Sequence, residues 1–208
     1  MRITRYGHSC LLVEDGDARV LLDPGVFSTG FEQLRGLTAV LITHAHPDHL
    51  DAGRLRTLLE ANPDARLHAD EGSAGQLGDL PSTVVSDGDV LDLGVRVDVL
   101  GREHAVIHED IPRIPNVGYL VGGRFFTPGD ALTVPDADVE VLGLPTAAPW
   151  LKLSEAVGLL RTVAPRLAFP VHDGVLSQPQ IWYGQFDALK PAGTTFDALR
   201  PDASLDLP

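Results

Sequence analysis

Apolar and polar side chains alternate at the start of the chain and predict short strands. Residues 2–6 and 10–14 follow the two-residue period, and the acidic turn Asp15-Gly16-Asp17 joins the second stretch to residues 19–22. Asp23-Pro24-Gly25 is a turn signature and ends this meander. Residues 26–36 read as loop with a short helix around 31–34. Residues 37–43 are nearly all apolar, which predicts a strand buried on both faces.

The period then lengthens. Leu50, Leu55, Leu58 and Leu59 recur at helical spacing and predict a helix over 49–61, ended by Asn62-Pro63. A strand at 66–69 and a short helix at 71–77 follow, then strands at 83–85, 90–93 and 95–100. A Pro-containing loop at 111–115 precedes a hairpin, 117–121 and 124–127, turning at Gly122-Gly123. A buried strand at 139–144, a helix at 154–163 closed by Pro165, and a strand at 167–171 complete the regular pattern. It weakens beyond Pro179. The predicted organisation is one domain over 1–190 and a polar, Pro-rich tail over 191–208. Strands first, then strands alternating with helices, point to an α+β fold with sheets covered by helices.

Composition narrows the function. The 208 residues are 44% hydrophobic and 22% charged, an ordinary globular balance. Sixteen basic against 29 acidic residues give a formal charge of −13. That argues against a nucleic-acid or anionic-membrane partner, since both need a basic footprint. Cys10 is the only cysteine, so a disulfide within the chain or a cysteine-cluster metal site is ruled out. No apolar run has the roughly 18 residues of a membrane span, and the N-terminus has no apolar signal core. The expected location is the cytoplasm.

Candidate chemistry lies in Thr43-His44-Ala45-His46-Pro47-Asp48-His49. His44 and His46, two apart at a strand end, leave on one face. Pro47 turns the chain, and Asp48 and His49 then converge with them at the start of the helix. Imidazole and carboxylate donors suit zinc, iron or manganese. The competing reading makes Asp48 a helix N-cap and the histidines surface residues. Three histidines and an aspartate so close together after a buried strand count against it.

This segment matches the His-x-His-x-Asp-His signature of the metallo-β-lactamase superfamily. Tyr6-Gly7-His8-Ser9-Cys10 and Leu22-Asp23-Pro24 further resemble its L-ascorbate-6-phosphate lactonase-like branch. The resemblance spans about residues 1–175. It implies a four-layer αβ/βα sandwich with two divalent metals, foremost zinc, in a cleft at one edge of two facing sheets. It carries His44, His46 and His104 onto one metal, Asp48, His49 and His172 onto the other, and Asp130 onto the bridge. His108 competes with His104 but stands farther from the preceding strand. His8 and Asp23 are candidates for contacting substrate or orienting a ligand. Phe27, Trp150, Trp182 and Tyr183 could line a pocket. Where many members carry histidine three residues before the bridging aspartate, this chain has Thr127.

The expected activity is hydrolysis of an ester, lactone or phosphoester of a small, potentially anionic metabolite. Two cations lower the pKa of bound water, a bridging hydroxide attacks, and Asp48 orients it and accepts its proton. The alternatives are a nuclease or phosphodiesterase of the same fold, against which the acidity stands, and an iron-dependent oxidoreductase. The redox branch usually replaces the second motif histidine by glutamate, whereas His46 is retained. Relatives often self-associate, so a homo-oligomer is a further expectation.

Overall fold

The computed structural model describes residues 1–207. Among the described residues, fourteen strands form two seven-stranded sheets, and four α-helices cover their outer faces. The strands of the first sheet are β1 (Arg2–Arg5), β2 (Leu11–Asp15), β3 (Ala18–Leu22), β4 (Ala39–Ile42), β5 (Arg66–Ala69) and β6 (Thr83–Val84). Those of the second are β7 (Val90–Asp92), β8 (Arg96–Leu100), β9 (Gly118–Val121), β10 (Phe125–Thr127), β11 (Val141–Pro145), β12 (Leu167–Val171) and β13 (Thr195–Phe196). β14 (Ser204–Asp206) returns to the first sheet, whose order is β14-β1-β2-β3-β4-β5-β6. The second sheet runs in order from β13 to β7. Helices α1 (Ala52–Glu60) and α2 (Glu71–Gln76) cover one sheet, and α3 (Leu153–Val163) and α4 (Gln180–Leu189) the other.

Side-chain parity builds the layers. In β3, Val20 and Leu22 enter the core between the sheets while Leu21 faces the helices. In β4, Ala39 and Leu41 point inward and Val40 and Ile42 outward. In β12, Leu167, Phe169 and Val171 line the inner core, and Ala168 meets α3 and α4. Strands buried on both faces must be apolar at every position, so 37–43 reads as a continuous run. The expected sandwich of two mixed sheets between helices is the observed fold.

Three departures have physical causes. The first helix starts at Ala52 rather than near His49, and its N-cap is Asp51, which accepts from Arg54 N. Asp48 is thereby released from capping. α4 escapes the sequence pattern because Phe186 alone of its residues is buried. Residues 191–208 are not a frayed tail over their described part. Thr195–Phe196 pairs with β12, Ser204–Asp206 pairs with β1, and Leu199 and Leu207 enter the inner core. Both strands are short and set among Pro, Gly and Asp residues, so no strand period is legible there. No helix among the described residues is long and apolar enough to cross a membrane.

Topology puts one set of strand ends together. β3, β4 and β5 are mutually parallel, and β1 joins them in direction through the antiparallel β2. β10, β11 and β12 are likewise parallel, and β8 shares their direction through β9. The segments leaving β1, β3, β4, β8, β10, β11 and β12 are therefore C-terminal ends, where sheets of this kind place their ligands. Tyr119 Oη on β9 donates to the Ile42 carbonyl at 2.8 Å, and Val117 N to the Thr43 carbonyl at 2.9 Å. These two bonds stitch the sheets together beside His44.

Candidate metal centre

Each site residue follows one of those strand ends. His8 follows β1 and Asp23 follows β3. His44, His46, Asp48 and His49 follow β4, His104 follows β8, Asp130 follows β10, and His172 follows β12. Two four-residue groups result: His44, His46, His104 and Asp130, and His8, Asp48, His49 and His172. Within each group the donor atoms lie within 4.8 Å of one another. His44 Nε2 and His46 Nδ1 are 3.2 Å apart.

Asp130 stands between the groups. Its Oδ2 is 3.4 Å from His104 Nε2, 3.9 Å from His44 Nε2 and 3.1 Å from His172 Nε2, and its Oδ1 is 3.2 Å from His49 Nε2. The backbone fixes it there. Asn116 Oδ1 accepts from Asp130 N at 2.9 Å, and Asn116 Nδ2 donates to the Pro128 carbonyl. Gly129 has φ +63, and a Cβ there would stand 2.4 Å from Asn116 Oδ1. Only glycine makes this approach.

Hydrogen bonds behind the rings set their tautomers. His49 Nδ1 donates to Asp23 Oδ2 at 2.8 Å, His104 Nδ1 to the Ala105 carbonyl at 2.6 Å, and His172 Nδ1 to the Ala147 carbonyl at 2.7 Å. Thr43 Oγ1 donates to Asp23 Oδ2 and accepts from His44 Nδ1 at 3.0 Å. All four rings thus turn Nε2 inward. His49, His104 and His172 Nε2 and Asp130 Oδ1 are fully buried without a hydrogen-bond partner. Buried polar atoms are rarely left unsatisfied, and here they converge as nitrogen and oxygen donors. The residues fit divalent cations on this chemistry.

The electrostatics of the bare side chains agree. Burial holds His44 well below the ordinary imidazole range, and burial and neighbouring His104 lower His46. Burial also pulls on His172, but the charge of Asp130 outweighs it and pushes the group up to about 9. His49 is raised in the same way by Asp130 and Asp23. Burial works to raise Asp130 and Asp48. His49 and His172 around Asp130, and His172 and His8 around Asp48, more than offset it and hold both well below the carboxylate range. In the bare side chains, these histidines and carboxylates thus favour one another's charged forms.

Of the two histidines competing downstream, His104 joins the cluster. His108 is exposed and accepts from Asp110 N at 3.1 Å. Asp23 braces Thr43 N, Thr43 Oγ1 and His49, and His8 Nε2 lies 3.0 Å from Asp48 Oδ2. Trp150, read as pocket lining, donates from Nε1 to Asp130 Oδ2 at 2.8 Å. Thr43 and Asn116 were not singled out from the sequence. Thr43 carried one signal: it is the polar residue closing an apolar run, directly before the first histidine. Trp182 packs against the α3–α4 cluster, away from these donors. Cys10 is buried in the apolar layer under α1.

Comparison with known proteins gives a consistent answer. Residues 2–172 match the model of the β-lactamase superfamily domain. The chain is 49% identical to Protein Rv0786c of Mycobacterium tuberculosis, with 99% of each chain covered. It is 42% identical over 64 residues to a UPF0173 metal-dependent hydrolase of Mesorhizobium japonicum, covering 28% of this chain and 27% of that one. Among solved structures, the metallo-β-lactamase fold protein YhfI of Bacillus subtilis superposes with a TM-score of 0.74 at 14% identity, covering 98% of both chains. The chain belongs to the β-lactamase superfamily and has the metallo-β-lactamase fold of its metal-dependent hydrolases.

Proposed function

We propose that this protein is a dinuclear metal-dependent hydrolase acting on a small ester, lactone or phosphoester. His44, His46 and His104 would hold one divalent cation, Asp48, His49 and His172 the other, and Asp130 would serve both. The observation that carries the reading is the convergence of unpartnered buried Nε2 atoms on Asp130 from both groups. When bound, such cations activate water near neutral pH and polarise the oxygen of the bond to be cleaved.

The side chains supply the rest. Asp23 and Asp130 are 2% and 4% exposed, whereas Asp48 is 19% exposed. Asp48 is thus the carboxylate of the site that an incoming water can reach. Held ionised, it orients that water and accepts its proton. His46 and Asp48 form the open mouth, and His44, His49, His104 and His172 its buried floor. A cavity of about 710 Å³ adjoins His8, with Phe27, Tyr183, Arg200 and Asp202 on its walls, and offers room for the non-reacting part of a substrate. Two divalent cations would offset the charges of Asp23, Asp48, Asp130 and a bound hydroxide, so the centre itself would not repel a small anion despite the net −13. Zinc is the favoured metal on its donor set. The lactonase-like N-terminal segment puts lactones first among substrates to try.

The test is metal content by mass spectrometry, followed by lactones, phosphodiesters and acyl esters offered to protein reconstituted with Zn, Mn or Fe, with Asp48→Ala as the blank. About two equivalents of metal and a cleavage abolished in the blank are expected. Reconstituted protein that cleaves nothing, or a blank as active as wild type, sinks the proposal.

A further inference from the structure

His8 differs from the other buried imidazoles of the centre in the direction of its hydrogen bonds. His44, His49, His104 and His172 each place the proton on Nδ1 and turn Nε2 inward. At His8 the backbone N–H of Gly174 donates to Nδ1 at 3.2 Å. Nδ1 is therefore the acceptor, and the proton sits on Nε2, 3.0 Å from Asp48 Oδ2. An imidazole nitrogen bearing hydrogen has no lone pair for a cation. We propose that His8, although its donor atom falls within the second four-residue group, is not a metal ligand but the positioning residue that hydrogen-bonds Asp48 and fixes its carboxylate.

The surroundings hold this arrangement. His8 is buried, and its backbone adopts φ +44, a left-handed conformation uncommon among non-glycine residues. The His8 carbonyl accepts from His172 N at 3.2 Å, so the β1–β2 turn is clasped to the segment after β12. The ring lies 4.1 Å from that of His172 and edge-on to Phe27 at 5.3 Å. Gly174 is required at close range, since a Cβ there would stand 2.9 Å from His8 Nδ1. Outer partners of metal ligands typically contribute 10–100-fold to metal affinity.

The inference rests on the dinuclear reading above, and the experiment separates the two. Apo wild type, His8→Ala, His8→Gln and Gly174→Ala are titrated with Zn²⁺ alone, reading stoichiometry and stepwise affinity. Wild type takes up two equivalents. His8→Ala still takes up two at saturation, with one step unchanged and the other weakened about 10–100-fold. His8→Gln, whose amide N–H can still donate to Asp48, recovers most of the loss. Gly174→Ala, which displaces the ring without removing it, behaves like His8→Ala. A His8→Ala protein that saturates at one equivalent makes His8 a ligand and overturns the proposal. So do an unchanged second step, or equal weakening of both steps, which would mark a merely structural role. Wild type that takes up no zinc removes the dinuclear reading itself, whereas wild-type loading with an unaffected His8→Ala overturns this proposal alone.

Discussion

The indole Nε1 of Trp150 donates to Asp130 Oδ2 at 2.8 Å, and its ring stands edge-on to His104 at 5.8 Å. One side chain from the segment after β11 thus touches both the aspartate between the two donor groups and a histidine of the first. Trp150→Phe keeps most of the apolar volume and removes the donor. Hydrogen bonds to charged groups contribute about 1.5–3 kcal/mol, and partners of metal ligands about 10–100-fold in affinity. The variant should fold, lose stability within that range, and bind zinc at least about tenfold more weakly. Urea unfolding of the apo protein and zinc titration check the two parts.

Asp23 performs the same service for His49 and also receives Thr43 N and Thr43 Oγ1. Asp23→Asn preserves shape, and asparagine tolerates the left-handed φ of +47 found here. Its amide presents one acceptor oxygen where the carboxylate presents two. At least one of the donors from Thr43 and His49 must lose its partner. Zinc affinity should fall about 10–100-fold. Unaltered affinity would show that Asp23 only shapes the Pro24-Gly25 turn.

The histidines downstream of β8 separate cleanly. His104→Ala removes a donor with no hydrogen-bond partner on Nε2, and metal loading of the His44–His46 side should collapse. His108→Ala removes an exposed side chain whose local bond is to Asp110 N, and loading and stability should stay within about 0.5 kcal/mol of wild type. Metal content of the two purified variants decides the matter.

Much of this centre was legible because its donors occur in chain order after strands that the pattern reveals. His44, His46, Asp48 and His49 fall within six residues, and Gly129-Asp130 and His172 each end an apolar run. What escaped is what joins distant segments. Trp150 carries no sign that its N–H meets Asp130, and Asn116 no sign that it holds Asp130 N. Gly25 reads as a turn glycine. In the fold a Cβ there would lie 1.9 Å from the Asp48 carbonyl oxygen and 2.0 Å from its carbon, so the residue is required by close backbone approach. The fold was readable where strands alternate or are uniformly apolar. β13 and β14 are short strands among Pro, Gly and Asp residues that mask either signal, and α4 buries too little.

That approach yields its own prediction. Gly25→Ala must push the turn after β3 away from Asp48, against backbone atoms that have little freedom to move. Overpacking of this kind costs about 1–3 kcal/mol or more. Lower soluble yield and weakened loading of the Asp48–His49–His172 side are expected. A variant with wild-type melting temperature and metal affinity would contradict the packing of these two segments.

The last prediction concerns protons. In the metal-free protein His172 is raised to about 9 from an ordinary value near 6.5, because Asp130 and Asp48 outweigh the effect of burial. A group raised on folding contributes stability that is fully present below its unfolded pKa and is lost as pH rises through its folded one. The chelated protein should therefore lose thermal stability progressively between about pH 6.5 and pH 9. Cations compete for the same nitrogens, so the loaded protein should show the opposite trend, with metal affinity rising over that window. Binding at pH 7 should release protons from His172 and from His49, which is raised by the same neighbours. Melting curves across pH with and without chelator test the first part. Proton release in weakly buffered solution on adding zinc tests the second. A chelated protein whose melting temperature is flat across the window would mean that these histidines are not paired with Asp130 in the metal-free state.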